Sequence, residues 1–262
     1  MSNHFSYEVS DGTYQDADSG KLVHFISMSR TSQEAEALGK HLIDVLTPPK
    51  SATPFPWMLS VMGAADGTNL PKVYNTLARK EPRAELLVFM HDDVRLWCSY
   101  EILSDFLEYA RDQRAGVVGV AGSRLLPESA IWWEKPEHTL GSVYHPNETL
   151  EFPRHQNMWP GPGSAQYGRA LVLDGLFLCC KPSVFEKVGG FDEELGDFHF
   201  YDLDFTLHAS NEGFENYVLP LPIFHQSIGK LPLEWMLAGE RFKRKWAAHL
   251  GTVLPAKEAP DA

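Results

Sequence analysis

The side chains best placed to do chemistry lie together in His91-Asp92-Asp93. They follow Leu86-Leu87-Val88-Phe89-Met90, an apolar run that reads as a buried strand of a parallel sheet. Two adjacent carboxylates cannot stay unpartnered in a dry core, because burying unpaired charge is prohibitive. The strand must therefore end there, with the acids at a sheet edge. In open α/β sheets, ligands bind in the crevice outside the carboxyl ends of strands. Hard oxygen ligands at such an edge suit Mg²⁺ or Mn²⁺ holding a diphosphate; a polar turn is the plainer reading. Asp202 starts a helix predicted from Leu203, Thr206, Leu207 and Ser210, where the helix dipole would keep a carboxylate ionised and basic. A simple N-cap is the alternative there. His225 directly follows the short strand Ile223-Phe224, and by itself reads more readily as a structural histidine than as a ligand.

The elements that must position these groups follow from hydrophobic spacing. Residues 22–26 form a first strand, and Thr31-Ser32-Gln33-Glu34 matches a capping box. Ala35, Leu38, Leu42 and Val45 continue that helix until Pro48-Pro49. A second strand spans 57–62, Pro71 opens a short helix, and the strand 86–90 completes a β-α-β-α-β run. That order predicts a parallel sheet with right-handed crossovers. Ser99 would cap a helix with Ile102, Leu103, Phe106 and Ala110 inward, before a strand over 117–121. Residues 127–170, with six prolines, read as an irregular region, and 150–170 as a lid or a surface loop. Beyond it, Ser183 and Glu186 suggest a second capping box, Gly189-Gly190 a C-cap, and 233–250 a terminal helix. The basic run Arg241, Lys243, Arg244, Lys245 is a solvated face or a contact to an anionic lipid-linked acceptor or membrane surface.

Composition excludes several classes. The 262 residues carry a formal net charge of -12, which argues against a nucleic-acid partner. No apolar run is long enough to span a bilayer, and the opening residues lack a signal-peptide pattern. Three cysteines, Cys98, Cys179 and Cys180, make no disulfide framework. A cytoplasmic location, or one peripheral to the inner membrane face, is the resulting expectation. Gly116, Gly119 and Gly122 lack dinucleotide-fingerprint spacing, and Ser27-Met28-Ser29-Arg30 offers no glycine-rich phosphate loop.

Taken in order, these pieces resemble a known family. Tyr74-Asn75, then Leu87-Val88-Phe89 and His91-Asp92-Asp93-Val94, are similar to the donor half of family 2 glycosyltransferases. Gly189-Gly190-Phe191-Asp192-Glu193, Tyr201-Asp202-Leu203-Asp204, Phe224-His225 and Phe242-Lys243-Arg244-Lys245-Trp246 resemble the acceptor half. The likeness covers residues 22 to 250 and is nearest a bacterial subgroup. It implies a GT-A fold: a single mostly parallel central sheet flanked by helices, with a small acceptor-side subregion. The expected layout is an arm over 1–20, a donor half over about 21–125, an acceptor half over about 126–250 and a tail over 251–262.

By this resemblance Asp93 and His225 are ligands of Mn²⁺ or Mg²⁺, and Asp202 is the catalytic base. Asp92 would sit near the ribose or diphosphate, and Asp66 would meet the nucleobase. Ser27, Asn75, Asp174 and Gly175 would line the donor region. Two departures stand out: Tyr201 replaces the usual Glu before Asp202, and His91 stands where many members have the first Asp. The implied reaction is inverting transfer of a sugar from a nucleotide-sugar donor, UDP-linked by expectation, to a hydroxyl of a glycan or lipid-linked acceptor. A non-catalytic nucleotide-sugar or glycan-binding module on the same fold is the alternative.

Overall fold

The computed structural model describes residues 4–9, 21–46, 58–65, 68–146, 154–157, 167–226 and 231–255. In chain order these form β1 (His4–Val9), β2 (Leu22–Ser29), α1 (Ser32–Leu46), β3 (Met58–Ala65), α2 (Leu70–Ala78), β4 (Leu86–Met90), β5 (Val94–Leu96) and α3 (Tyr100–Ala110). Next come β6 (Ala115–Gly119), β7 (Ala121–Ser123), β8 (Thr139–His145), β9 (Arg154–Asn157), β10 (Gly168–Ala170), β11 (Val172–Leu173) and β12 (Phe177–Cys180). The chain ends with α4 (Pro182–Val188), α5 (Tyr201–Asn211), β13 (Glu215–Val218), β14 (Ile223–His225) and α6 (Leu233–Lys245).

The main sheet has the order β1-β3-β2-β4-β12-β6-β13-β10. Its central strands are buried on both faces, as their unbroken apolar sequences require. Side chains alternate across it: Leu86, Val88 and Met90 of β4 join one core cluster with Leu38 and Leu42 of α1 and Leu103 and Phe106 of α3. Leu87 and Phe89 join the other, with Tyr74 and Leu77 of α2 and Phe185 of α4. The period of two along a strand thus divides the helices into two layers.

The sheet is more mixed than expected. The β2 pairings to β3 and β4, and β6 to β13, are parallel, whereas β12 runs antiparallel to both β4 and β6. A second, smaller sheet of order β11-β7-β8-β14-β5, with β9 against β8, accompanies it. It takes up part of the region read as irregular: β8 pairs with β7 and β14, and Trp132 is fully buried. Other local expectations also shift. The Thr31–Glu34 box forms, with Glu34 N–H donating to Thr31 Oγ1 at 3.2 Å. Ser183 makes no cap, because α4 starts at Pro182 and its N-cap position is Lys181. Ile102 is 42 % exposed rather than inward, and Leu107 takes the place in the core. The lid expected over 150–170 falls mostly outside the described residues. No helix among the described residues is long and apolar enough to cross a membrane.

Two pairings build the site. Antiparallel β12 aligns Phe177 with Met90, so the Asp174-Gly175 turn before β12 meets the end of β4. His91 N–H donates to Leu176 O there at 3.1 Å. In the small sheet, β14 aligns His225 with Val94, which sets it beside Asp93.

Candidate active site

An open cleft of about 870 Å³ lies over these strand ends. His91, Asp92, Asp93, Asp174, Asp202 and His225 all line it. One donor atom each from His91, Asp93 and His225 can be chosen so that all three lie within 4.8 Å of one another. Two imidazoles and one carboxylate form a mixed N/O donor set that fits Mn²⁺ and other first-row divalent ions better than an all-oxygen site would. His225 Nε2 lies 3.3 Å from Asp93 Oδ1. Burial works against the Asp93 carboxylate, but the hydrogen bond from His225 and the nearby His225, His91 and Arg30 outweigh it and hold its pKa at about 2. Burial, and then the neighbouring His225, push the His91 pKa down to about 4, so the ring is neutral near pH 7. The site therefore offers a charged carboxylate and a neutral imidazole, both in ligand form.

Asp92 is tied to the end of β2: Arg30 N–H donates to Asp92 Oδ2 at 3.3 Å. Burial and the adjacent Asp93 raise its pKa. The Arg30 guanidinium, largely exposed, lies 3.8 Å from Asp92 and 3.9 Å from Asp93. An exposed guanidinium beside the strand ends is suited to a phosphate group.

Asp202 sits in the first turn of α5, and its Oδ2 accepts the Gly175 N–H at 2.7 Å. Gly175 must be glycine, since a Cβ there would stand 2.2 Å from the Tyr201 hydroxyl and 2.9 Å from Asp202 Cβ. The expectation that the helix N-terminus keeps Asp202 ionised is not met. Burial first, and the Asp174 charge second, outweigh the backbone hydrogen bonds and push its pKa up to about 7. A carboxyl poised there can take a proton near neutrality.

Not every expected residue joins this cleft. Asn75 is buried, and its amide is committed to the loop after α4. It donates to Phe191 O at 2.8 Å and Glu193 Oε1 at 2.9 Å, and accepts from Phe191 N–H at 2.8 Å. Its role is to hold the Gly190–Glu193 turn, and it does not line the cleft. Ser27 is buried near the end of β2, and its hydroxyl has no hydrogen-bond partner among the described residues. Asp66 lies outside the described residues. Asp204 turns away from the cleft: its Oδ1 accepts from Lys245 Nζ and Trp246 Nε1, both at 2.7 Å. The basic run of α6 is largely engaged within the fold as well, with Lys243 on Glu240, Lys245 also on Asp192, and Arg241 on Leu195 O.

The sequence left open whether His199 shares the site, and it did not point to His91 as a ligand or to Arg30 and Tyr201 as cleft residues. The strand-end rule could have found Arg30, which directly follows β2. His91 was overlooked because a histidine was read as a departure from the acidic motif, although imidazole is itself a good ligand.

A family model described as "Glycosyltransferase like family" matches residues 43–250. The chain belongs to that glycosyltransferase-like family. Among solved structures, GalNAc-T7 with UDP, GalNAc and Mn²⁺ matches at 8% identity and a TM-score of 0.51, over 87% of this chain and 48% of that one. The glycosyltransferase-like chain thus spans about half the length of that neighbour, and at this identity the likeness is one of fold. The mannosyltransferase PcManGT from Pyrobaculum calidifontis, in complex with GDP-Man and Mn²⁺, matches at 12% identity and a TM-score of 0.46, over 85% of this chain and 69% of that one. No curated protein matches the chain. The α/β class and GT-A fold expected from the motifs hold for this glycosyltransferase-like chain.

Proposed function

We propose that the protein is a metal-dependent, inverting glycosyltransferase that moves a sugar from a nucleotide diphosphate to an acceptor hydroxyl. The observation that carries this reading is one cleft holding both a three-residue ligand set and, apart from it, a carboxyl whose pKa is about 7. His91, Asp93 and His225 would hold Mn²⁺, with Mg²⁺ less suited to two imidazoles. The charge building on the departing diphosphate would be offset by a Lewis acid at that site. Arg30, 3.8 to 3.9 Å from Asp92 and Asp93, would add a second cation on the phosphate side.

Asp202 would accept the proton of the attacking hydroxyl. Its hydrogen bond from Gly175 N–H orients one carboxyl oxygen toward its place in the cleft. A single base opposite the leaving group gives one displacement and therefore inversion, by the geometric logic of inverting glycosidases. A UDP-linked donor and a glycan or lipid-linked acceptor are supported by the family resemblance. The UDP and Mn²⁺ held by the GalNAc-T7 neighbour support a nucleotide-linked donor in general.

A thermal-shift panel of nucleotide sugars with and without Mn²⁺ tests the donor half of the reading. A ligand that binds only the native state raises Tm by mass action. The expected result is a shift from one nucleotide sugar that requires Mn²⁺; shifts from none, with or without Mn²⁺, would remove the reading.

A further inference from the structure

Tyr201 stands where the resembled family carries an acid, and its ring and hydroxyl are both held in place. It is 2 % exposed, and its ring lies against Tyr74 and Phe191 at centroid distances of 6.0 and 5.6 Å. Its hydroxyl has two partners. It donates to Gly175 O at 3.2 Å and meets His91 Nε2 at 2.8 Å.

The directions of these two bonds are coupled. A carbonyl oxygen can only accept, so the single hydroxyl proton goes to Gly175. The hydroxyl then presents lone pairs to His91, and Nε2 must carry the proton. A neutral imidazole with its proton on Nε2 has its lone pair on Nδ1. A histidine whose other ring nitrogen is held in this way is the usual arrangement around a bound metal.

We infer that Tyr201 is a positioning residue for the metal centre: its hydroxyl fixes the ring orientation and tautomer of His91, leaving Nδ1 as the ligand atom. The inference rests on the metal-dependent reading above. The same hydroxyl is also linked to the base. Gly175, whose carbonyl it holds, donates its N–H to Asp202 at 2.7 Å. One phenol thus couples the ligand side of the cleft to the proton-accepting side, a task for which the acid usual at this position would lack the donor. The glycine at 175 is part of this arrangement, because any Cβ would enter the space of the hydroxyl.

Tyr201→Phe keeps the ring packing and removes only the hydroxyl. In the full-length chain, Mn²⁺ affinity is measured by the loss of the free-ion paramagnetic resonance signal, with and without UDP. Two-bond ¹⁵N–¹H spectra of the metal-free protein report which ring nitrogen of His91 carries the proton. The expected result is proton on Nε2 in the wild type, a mixed tautomer in Tyr201→Phe, and about tenfold or more weaker Mn²⁺ binding with Tm little changed. Asp93→Ala is the control. If it too leaves Mn²⁺ binding intact, the metal reading fails and the inference with it. If Asp93→Ala loses Mn²⁺ while Tyr201→Phe binds as the wild type does, the inference alone is overturned. A wild-type His91 with its proton on Nδ1 overturns it even if Tyr201→Phe does not fold.

Discussion

Asp202→Asn should damage catalysis and stabilise the fold, and the two effects share one cause. The Asp202 pKa is pushed up from 3.8 to about 7, by burial first and by Asp174 second. A folded pKa above the unfolded one means that the native state holds a proton between about pH 4 and 7 that the unfolded chain has released. Stability from this group is full below pH 4 and lost as pH rises through 7. A shift of about three units corresponds to roughly 4 kcal/mol at most. Solvent in the open cleft screens part of it, leaving about 1–2 kcal/mol at pH 8. Asparagine cannot ionise, and its carbonyl oxygen can still accept the Gly175 N–H. The variant should therefore melt a few degrees higher at pH 8, on the scale of about 2–4 °C per kcal/mol for a domain of this size. The gain should be smaller at pH 5. Calorimetry in EDTA, with no metal or nucleotide, is the assay. Transfer by the same variant should fall by about 10²-fold or more, as general-base loss does. A variant less stable than wild type at pH 8, or stabilised equally at both pH values, would refute the burial argument. Near-normal transfer would refute the base assignment.

Three further outcomes follow from the same geometry. The transfer rate should fall about tenfold per pH unit below about pH 7, as Asp202 is protonated; a rate profile flat across that range would contradict it. Asn75→Ala should lower stability by about 1–3 kcal/mol, since it leaves the partners on the 190–193 turn unsatisfied, while Mn²⁺ affinity in a calorimetric titration stays unchanged. Gly175→Ala should lower stability by about 1–3 kcal/mol in denaturant melts and weaken Mn²⁺ binding, because the added methyl displaces the Tyr201 hydroxyl.

The site's individual parts were legible in sequence wherever a local pattern carried them. The run 86–90 could only be a buried strand, and charges at 92 and 93 had to end it. Local pattern placed Asp202 at a helix start and His225 at a strand end, but their roles as base and ligand came from the family resemblance alone. What local pattern does not encode is which strand lies beside which. The Asp93–His225 contact depends on β5 pairing with β14, more than a hundred residues on. The Asp174-Gly175 turn reaches the site only because β12 enters the sheet antiparallel, and an apolar run reads the same in either direction. Asn75 was given a donor contact by the resemblance, and only the long-range contact to the 190–193 turn shows its amide engaged with the backbone at 191. The raised Asp202 pKa likewise depends on burial and on a neighbour, Asp174, that is distant in sequence.

The most direct measurement is nucleoside diphosphate release from a panel of nucleotide sugars. It is followed with oligosaccharide and glycolipid acceptors, with Mn²⁺ or EDTA, for wild type and Asp93→Ala. The account predicts that one donor releases its diphosphate in an acceptor- and Mn²⁺-dependent way, and that EDTA or Asp93→Ala abolishes the release. Full turnover after exhaustive dialysis against EDTA would contradict the metal-dependent mechanism. Tight Mn²⁺-dependent donor binding without turnover on any acceptor would contradict the catalytic reading in favour of a binding module.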